Sequence, residues 1–306
     1  MSSLELASFA RIHRQVEDPG TAHLVIGLNE VVSRRTVDGL EVDVEQRADG
    51  VGIRMVVAEG AVLARPVHLC FGLLQEAGIQ KIDMDLDVRA GAKVDVMAHC
   101  VFPNARDVRH LMDANIRIGQ AARYSYFERH IHSPAGGITV VPKARIDLAP
   151  QARFKTEFEL IQGRVGLIEI DYETTAGPES VMDMSARISG RGDDVIRIRE
   201  TGWLVGERAT GVLTSRVAVR DRARAEVYNK LTATAAYARG HVDCKEIIQG
   251  GGTANAVPIV EVLHPKAHIT HEAALGSVDS KQLETLMARG LTEDEAADLI
   301  IAGLLS

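Results

Sequence analysis

Between residues 37 and 275, apolar and polar positions alternate in short runs. Leu40, Val42 and Val44 are interleaved with Glu41 and Asp43, and Val94 and Val96 enclose Asp95. Ala144, Ile146 and Leu148 alternate with Lys143, Arg145 and Asp147, and Phe154, Thr156, Phe158 and Leu160 with Lys155, Glu157 and Glu159. Val195-Ile196-Ile198 and Val217-Val219 continue the theme. A period of two, with turn residues between the runs, predicts many short strands. Helical periodicity is nearly absent over the same span. The helices that would cross between parallel strands of a doubly wound sheet are missing, which disfavours that fold and leaves a sandwich, a barrel or a solenoid.

A recurring tripeptide favours the solenoid. Alanine, a basic residue and usually a larger apolar one occur at Ala92-Lys93-Val94, Ala122-Arg123-Tyr124, Ala144-Arg145-Ile146, Ala152-Arg153-Phe154, Ala186-Arg187-Ile188, Ala223-Arg224-Ala225 and Ala267-His268-Ile269. Each reads as a turn feeding a strand, although the spacing is irregular and Ala10-Arg11-Ile12 matches as well. Aromatic residues make up only 4% of the chain. Stacked coils bury a continuous core of Val and Ile without needing many aromatics.

The two ends differ from this middle. Met1 to Val16 reads as one short amphipathic helix carrying Leu4, Leu6, Phe9 and Ile12, stopped by Asp18-Pro19-Gly20. After residue 275, Asp279 or Ser280 opens a helix with Leu283, Leu286 and Met287 on one face, and Gly290 suits its left-handed end. Thr292-Glu293-Asp294-Glu295 is a capping box, with Ala296, Leu299, Ile300 and Leu304 striping a second helix. Two helices this short must dock their apolar faces, either on their own chain or on a partner. The expected division is 1–35 as a short helical or irregular segment, 36–275 as the β core and 276–306 as a helical hairpin.

At 306 residues the chain can bury a sizeable core, and its net charge of −7 gives no reason to expect nucleic acid or an anionic membrane as partner. No apolar run approaches the roughly 20 residues of a spanning helix, and Met1 to Arg14 lacks the layout of a signal peptide. A cytoplasmic location is expected. The three cysteines, Cys70, Cys100 and Cys244, fit a reducing compartment and contain no CxxC pair. One chain therefore cannot close a four-cysteine site.

Candidate chemistry gathers at three places. Cys244 lies in Val242-Asp243-Cys244-Lys245-Glu246, where strand alternation puts it on the face of Val242. It is read either as a small buried residue or as a thiolate helped by Lys245 and His241. His271-Glu272 closes a strand-like run, and neighbours in a strand point to opposite faces, so the pair converges on a metal only if the backbone bends. Thiolate, carboxylate and imidazole all suit iron. His99-Cys100, His110, His130 and His132 form the third group, in which His130 and His132 share one strand face; a plain polar surface is the alternative. Cys70 reads as core. Gly250-Gly251-Gly252 lacks the lysine of a phosphate-binding loop and reads as a turn, as does Gly190-Arg191-Gly192-Asp193-Asp194.

From Val242 to Leu305 the chain presents, in order, a cysteine-bearing strand, a glycine-rich turn, Pro258-Ile259-Val260-Glu261-Val262, His271-Glu272-Ala273, Gln282-Leu283, Arg289-Gly290-Leu291 and a Leu-Ile-x-x-Gly-Leu ending. This run resembles the SufB/SufD family of iron–sulfur cluster assembly scaffolds. A looser similarity extends back to about residue 36. The resemblance implies a mainly β protein, a right-handed parallel β-helix with short helical segments at both ends. It implies a scaffold, not an enzyme, that holds a transient iron–sulfur cluster; the isolated chain need not retain one. It implies Cys244 and Glu272 as cluster ligands, with His271 at the position that SufD-type members emphasise. It also implies a SufC-type ABC ATPase bound through the C-terminal helices, and a homodimer or a SufD-like paralogue as second partner.

The chain departs from bacterial SufB in being shorter and in lacking an N-terminal multi-cysteine motif. It also has no cysteine between Cys100 and Cys244. It resembles minimal archaeal-type systems in which one scaffold pairs with itself. Three rival readings stand beside this one: a SufD-like structural subunit without ligands of its own, a carbohydrate-active β-solenoid, and a mononuclear metal protein using His130 and His132. The scarcity of aromatic platforms argues against the second.

Overall fold

In a computed structural model, which describes residues 3–305, the strands stack into a two-sided parallel β-solenoid. The chain begins with α1 (Ser3–Phe9) and α2 (His13–Glu17), followed by β1 (His23–Gly27), β2 (Glu30–Arg35), β3 (Leu40–Arg47), β4 (Gly50–Val57) and β5 (Val67–Gly72). The body contains β6 (Ala77–Val88), β7 (Lys93–Phe102), β8 (Asp107–Ile118), β9 (Arg123–His132), β10 (Ile138–Leu148), β11 (Arg153–Gln162) and β12 (Gly166–Ala176). It continues with β13 (Val181–Gly190), β14 (Val195–Leu204), β15 (Thr210–Val219), β16 (Arg224–Ala233), β17 (Arg239–Ile248), β18 (Thr253–Val262) and β19 (His268–Ser277). Two helices finish the chain, α3 (Ser280–Met287) and α4 (Glu293–Leu304).

From β5 onward, odd-numbered strands stack in one sheet and even-numbered strands in the other. Each coil contributes one strand to each sheet, so neighbours are parallel and in register, as in Ser215↔Cys244 and Asn229↔Pro258. Inward residues of both sheets form one continuous core, rich in Val, Ile, Ala and Leu. At the N-terminal end, β1–β2 and β3–β4 pair antiparallel and close the stack.

Residues 3–17 hold two short helices where the sequence predicts one; its first two positions, Met1 and Ser2, lie outside the described residues. Arg11 takes a left-handed backbone (φ 58°) that breaks the helix. The break lets Leu6, Ala7, Ala10, Ile12 and Val16 all pack on the outer face of the odd sheet, against Val25, Cys70 and Val101. Residues 1–35 also carry β1 and β2. Strand β1 is buried at every position, so it shows no alternation to read.

The C-terminal caps form as their residues predict. Asp279 accepts from the Gln282 backbone N–H at 2.7 Å, Thr292 and Glu295 close the capping box, and Gly290 is left-handed (φ 97°). Helix α4 docks on its own chain, with Ile301 and Leu305 against Ala218 and alongside Ile247. Asp298 meets Arg220 at 2.5 Å and Arg191 at 3.1 Å. Helix α3 buries none of its residues.

Candidate functional site

Cys244 sits on the inner face of β17 and is fully buried. The parallel register stacks it between Ser215 and Ala273. From the opposite sheet, the Asn229 amide reaches its Sγ at 3.7 Å. Glu246 shares the inner face two residues on, and Ser215 Oγ donates to it at 3.3 Å. Burial pushes the Cys244 thiol up to about 11, only partly opposed by the Ser215 hydroxyl and the Asn229 amide beside it. Burial likewise pushes Glu246 up to about 7, and Glu200 to about 8 with help from the Asp183 charge. The expected thiolate helpers are elsewhere. His241 bonds Thr270 and Lys245 lies 3.6 Å from Asp243 and 3.7 Å from Glu272, all on the outer face. Strand alternation puts every odd neighbour of Cys244 on that side.

His271 and Glu272 part in the same way. His271 continues the inner column above Val242, whereas Glu272 stacks on Asp243 outside. The backbone runs straight through β19, without a bend that would bring the two side chains together. Within one chain, Cys244 and His271 therefore share a face and Glu272 does not. Glu246, Ser215, Asn229 and Glu200 went unselected in the sequence. The i, i+2 spacing of Cys244 and Glu246 on a strand was the available signal for the first of them.

The last coil is open. Strands β18 and β19 each have a strand neighbour on one side only among the described residues. Apolar side chains there face solvent, including Val262, Leu275 and Leu263, the last 68% exposed. Cys244 lies one coil inside this end.

A second polar group occupies the interior near the other end. Cys100 on β7, His110 on β8 and Glu128, His130 and His132 on β9 all face inward and are buried. Cys100 Sγ is 3.7 Å from His110 Nε2 and 3.5 Å from Glu128 Oε1. His130 Nε2 lies 2.8 Å from Glu128 Oε1, His130 Nδ1 lies 3.0 Å from His132 Nε2, and His132 Nδ1 lies 3.3 Å from the Arg164 carbonyl oxygen. Burial drives the Cys100 thiol well above its ordinary range and His110 down to about 3. Burial also works against the Glu128 carboxylate, but the hydrogen bond and charge of His130 outweigh it and hold the group below the usual range. His99, expected with these residues, is on the outer face and stacks on His68 at 6.1 Å. Cys70 is buried core, as its surroundings predict.

A family model described as the SufBD core domain of the SUF system for FeS cluster assembly matches residues 75–304. This chain belongs to the SufBD family. An iron–sulfur cluster assembly SufBD family protein of Methanocaldococcus jannaschii is 34% identical over 92% of this chain and 89% of its own length. One from Pyrococcus horikoshii is also 34% identical, over 93% of this chain and 86% of its own. The iron–sulfur cluster assembly protein SufB of Bacillus subtilis is 33% identical over 69 residues, 22% of this chain. The SufBD match takes in both interior polar groups, the open coil and the C-terminal helices. It leaves out α1, α2 and the two antiparallel hairpins. No helix among the described residues is long and apolar enough to cross a membrane.

Proposed function

We propose that this SufBD protein is the scaffold on which a cytoplasmic iron–sulfur cluster is assembled, and that it turns over no substrate of its own. The nascent cluster is cargo, held where two copies of the chain, or this chain and a SufD-like paralogue, meet end to end through β18 and β19. The observation that carries this reading is the open coil next to Cys244. Unpaired strand edges with exposed apolar residues are a liability in a monomer and a natural seat for another strand.

Cys244, His271 and Glu272 are the proposed ligands. Glu272 is turned away from Cys244 of its own chain, so a complete ligand set requires the second subunit. Carboxylate and imidazole in place of further thiolates leave a cluster readily released, which suits a scaffold. The SufC-type ABC ATPase binds the C-terminal hairpin, where α4 is anchored and α3 leaves Leu283 and Leu286 only half-buried and Met287 exposed. The depth of the Cys244 thiol favours one alternative, a SufD-like structural subunit.

Anaerobic reconstitution with iron and sulfide, in the presence of the ATPase, separates the two. The wild type should form a cluster by visible absorption and iron and sulfide content, with Cys244→Ser and Glu272→Ala weakened. Equal cluster yield in wild type and both variants would exclude these ligands, and no cluster in any sample would leave the structural subunit as the reading.

A further inference from the structure

Cys100, His110 and Glu128 present a thiol, an imidazole and a carboxylate to one point inside the solenoid, from three successive strands of two sheets. Their ligand atoms all lie within 4.8 Å of one another. In a tetrahedral site with metal–sulfur bonds of about 2.3 Å and metal–nitrogen bonds of about 2.0–2.1 Å, donor atoms stand roughly 3.5 Å apart. The observed Sγ–Nε2 and Sγ–Oε1 separations, 3.7 and 3.5 Å, are edges of that size. The other oxygen of the same carboxylate, Glu128 Oε2, is buried without a hydrogen-bond partner. A polar group left in that state destabilises the fold unless something occupies it. Burying three ionisable side chains together is hard to account for by packing alone.

We infer that Cys100, His110 and Glu128 form a binding site for a divalent transition ion of borderline softness, zinc or ferrous iron. Charge balance supports a dication. As the sulfur–metal bond forms the thiol proton leaves to solvent; thiolate and carboxylate together then offset the two charges of the ion, and the imidazole ligand adds none. Counting the proton held between His130 and Glu128, the ion with its ligands and His130 carries a single positive charge, so most of the ion's charge is compensated where the low-dielectric interior requires it. The mixed sulfur, nitrogen and oxygen donors exclude magnesium and calcium, which take oxygen alone.

The residues behind the site fit as well. A backbone carbonyl only accepts, so His132 Nδ1–H donates to Arg164 and His132 Nε2 accepts from His130 Nδ1–H. The contact between His130 Nε2 and Glu128 Oε1 then holds a single proton. This line of imidazoles, anchored on the backbone, orients the Glu128 carboxylate, which is how buried metal ligands are commonly held. His130 and His132 are thus positioning residues.

The site is distinct from the proposed cargo site. In the odd sheet the columns between them run through Phe158 and Ala186, and through Leu160, Ile188 and Val217. In the even sheet His110 is followed by Val140, Ile168 and Ile196. Apolar residues thus fill the columns that join the two groups, while Thr156, Tyr172, Thr174 and Glu200 stand in the neighbouring inner columns.

The chain has three cysteines, so the double variant Cys70→Ser/Cys244→Ser leaves Cys100 as its sole thiol. Metal-free, reduced, full-length protein is titrated with Co²⁺ under anaerobic conditions. Wild type and double variant should each take one equivalent, with a thiolate-to-cobalt band in the near ultraviolet and the intense visible bands of a tetrahedral site. Zinc or ferrous iron should displace it, and either result supports the site. Replacing His130 with Gln should weaken binding about 10- to 100-fold while the thiolate band survives at saturation. A wild type without the band, or a double variant that loses it, overturns the inference. Neither result bears on cluster formation at Cys244, which the reconstitution above reads separately.

Discussion

Glu200 offers a direct measure of what burial does inside this solenoid. Its side chain is 1% exposed, faces inward on β14, and has Oε2 without a partner. Burial, with the Asp183 charge behind it, pushes its carboxyl up to about 8 from an ordinary 4.5. Between those values the folded chain keeps a proton that the unfolded chain has released. Stability contributed by this group is therefore full below about pH 4.5, falls as the pH rises, and stops falling above about pH 8. At about 1.4 kcal/mol per unit, the whole window is worth about 5 kcal/mol, of which about 3 is already lost at pH 7.

Substitution Glu200→Gln keeps the shape of the protonated acid and cannot ionise. The variant should exceed the wild type by about 3 kcal/mol at pH 7 and by less than about 1 kcal/mol at pH 5. Urea denaturation at pH 5, 7 and 9, with slopes checked for equality, reads the difference. The variant should retain a shallower decline, because Glu246 is also raised, to about 7. If the wild-type and variant stabilities fall in parallel from pH 5 to 9, Glu200 is not a buried neutral acid and the reasoning fails.

Three other outcomes are expected. Phe158→Ala removes a large side chain, 2% exposed, from between Glu128 and Ala186, and should cost about 3–5 kcal/mol in the same assay. Alkylation of Cys244, followed in Cys70→Ser/Cys100→Ser, should be at least about 100-fold slower in native than in unfolded protein at pH 8 and should accelerate with pH; fast, pH-independent labelling would contradict a thiol raised to about 11. Asp298→Ala strips α4 of its contacts to Arg191 and Arg220 and leaves Arg220, 8% exposed, without its acid. Amide exchange in 293–304 should accelerate by the equivalent of about 1–3 kcal/mol while the strands keep their protection.

The strand content, the solenoid and the helix caps were legible because each rests on local chemistry: alternation, turn residues and capping boxes. The coil period was not legible, and the reason is specific. Left-handed residues recur at one corner, at Gly91, Ala121, Gln151, Glu179, Arg208 and Tyr237, 28 to 30 positions apart. Each is followed by a small, fully buried residue: Ala92, Ala122, Ala152, Ser180, Ala209 and Ala238. The corner demands small size and a backbone angle, not a tripeptide, so Ser180 and Ala209 escape the pattern. Ala223 belongs to the opposite corner, at the start of β16, and Ala144 and Ala186 lie inside β10 and β13. Five of the seven tripeptides do precede strands, but on two different edges of the coil, which scrambles their spacing.

Site residues were legible only as far as single-strand alternation reaches. Alternation correctly separates His271 from Glu272 and brings His130 and His132 together. Glu128 and His110 come together with Cys100 only through coil register and the distance between the sheets, neither of which is written in any short window. Lys245 and His241 misled because closeness in sequence along a strand means opposite faces in space.

Corner residues with a repeated backbone angle also make the molecule a one-dimensional stack, in which each coil is held mainly by the coil before it and the coil after it, with α4 bracing the flank near Ala218 and Ile247. The first coils are covered by two hairpins and two helices, whereas the last coil has a neighbour on one side. Opening free energies should therefore decline along the stack toward β18 and β19. The Cys244 end is the part of the protein that frays first, and a second subunit seated there would raise its stability by mass action. Occupancy of that interface would then set how often the buried thiol meets the solvent, making access to Cys244 a function of protein concentration.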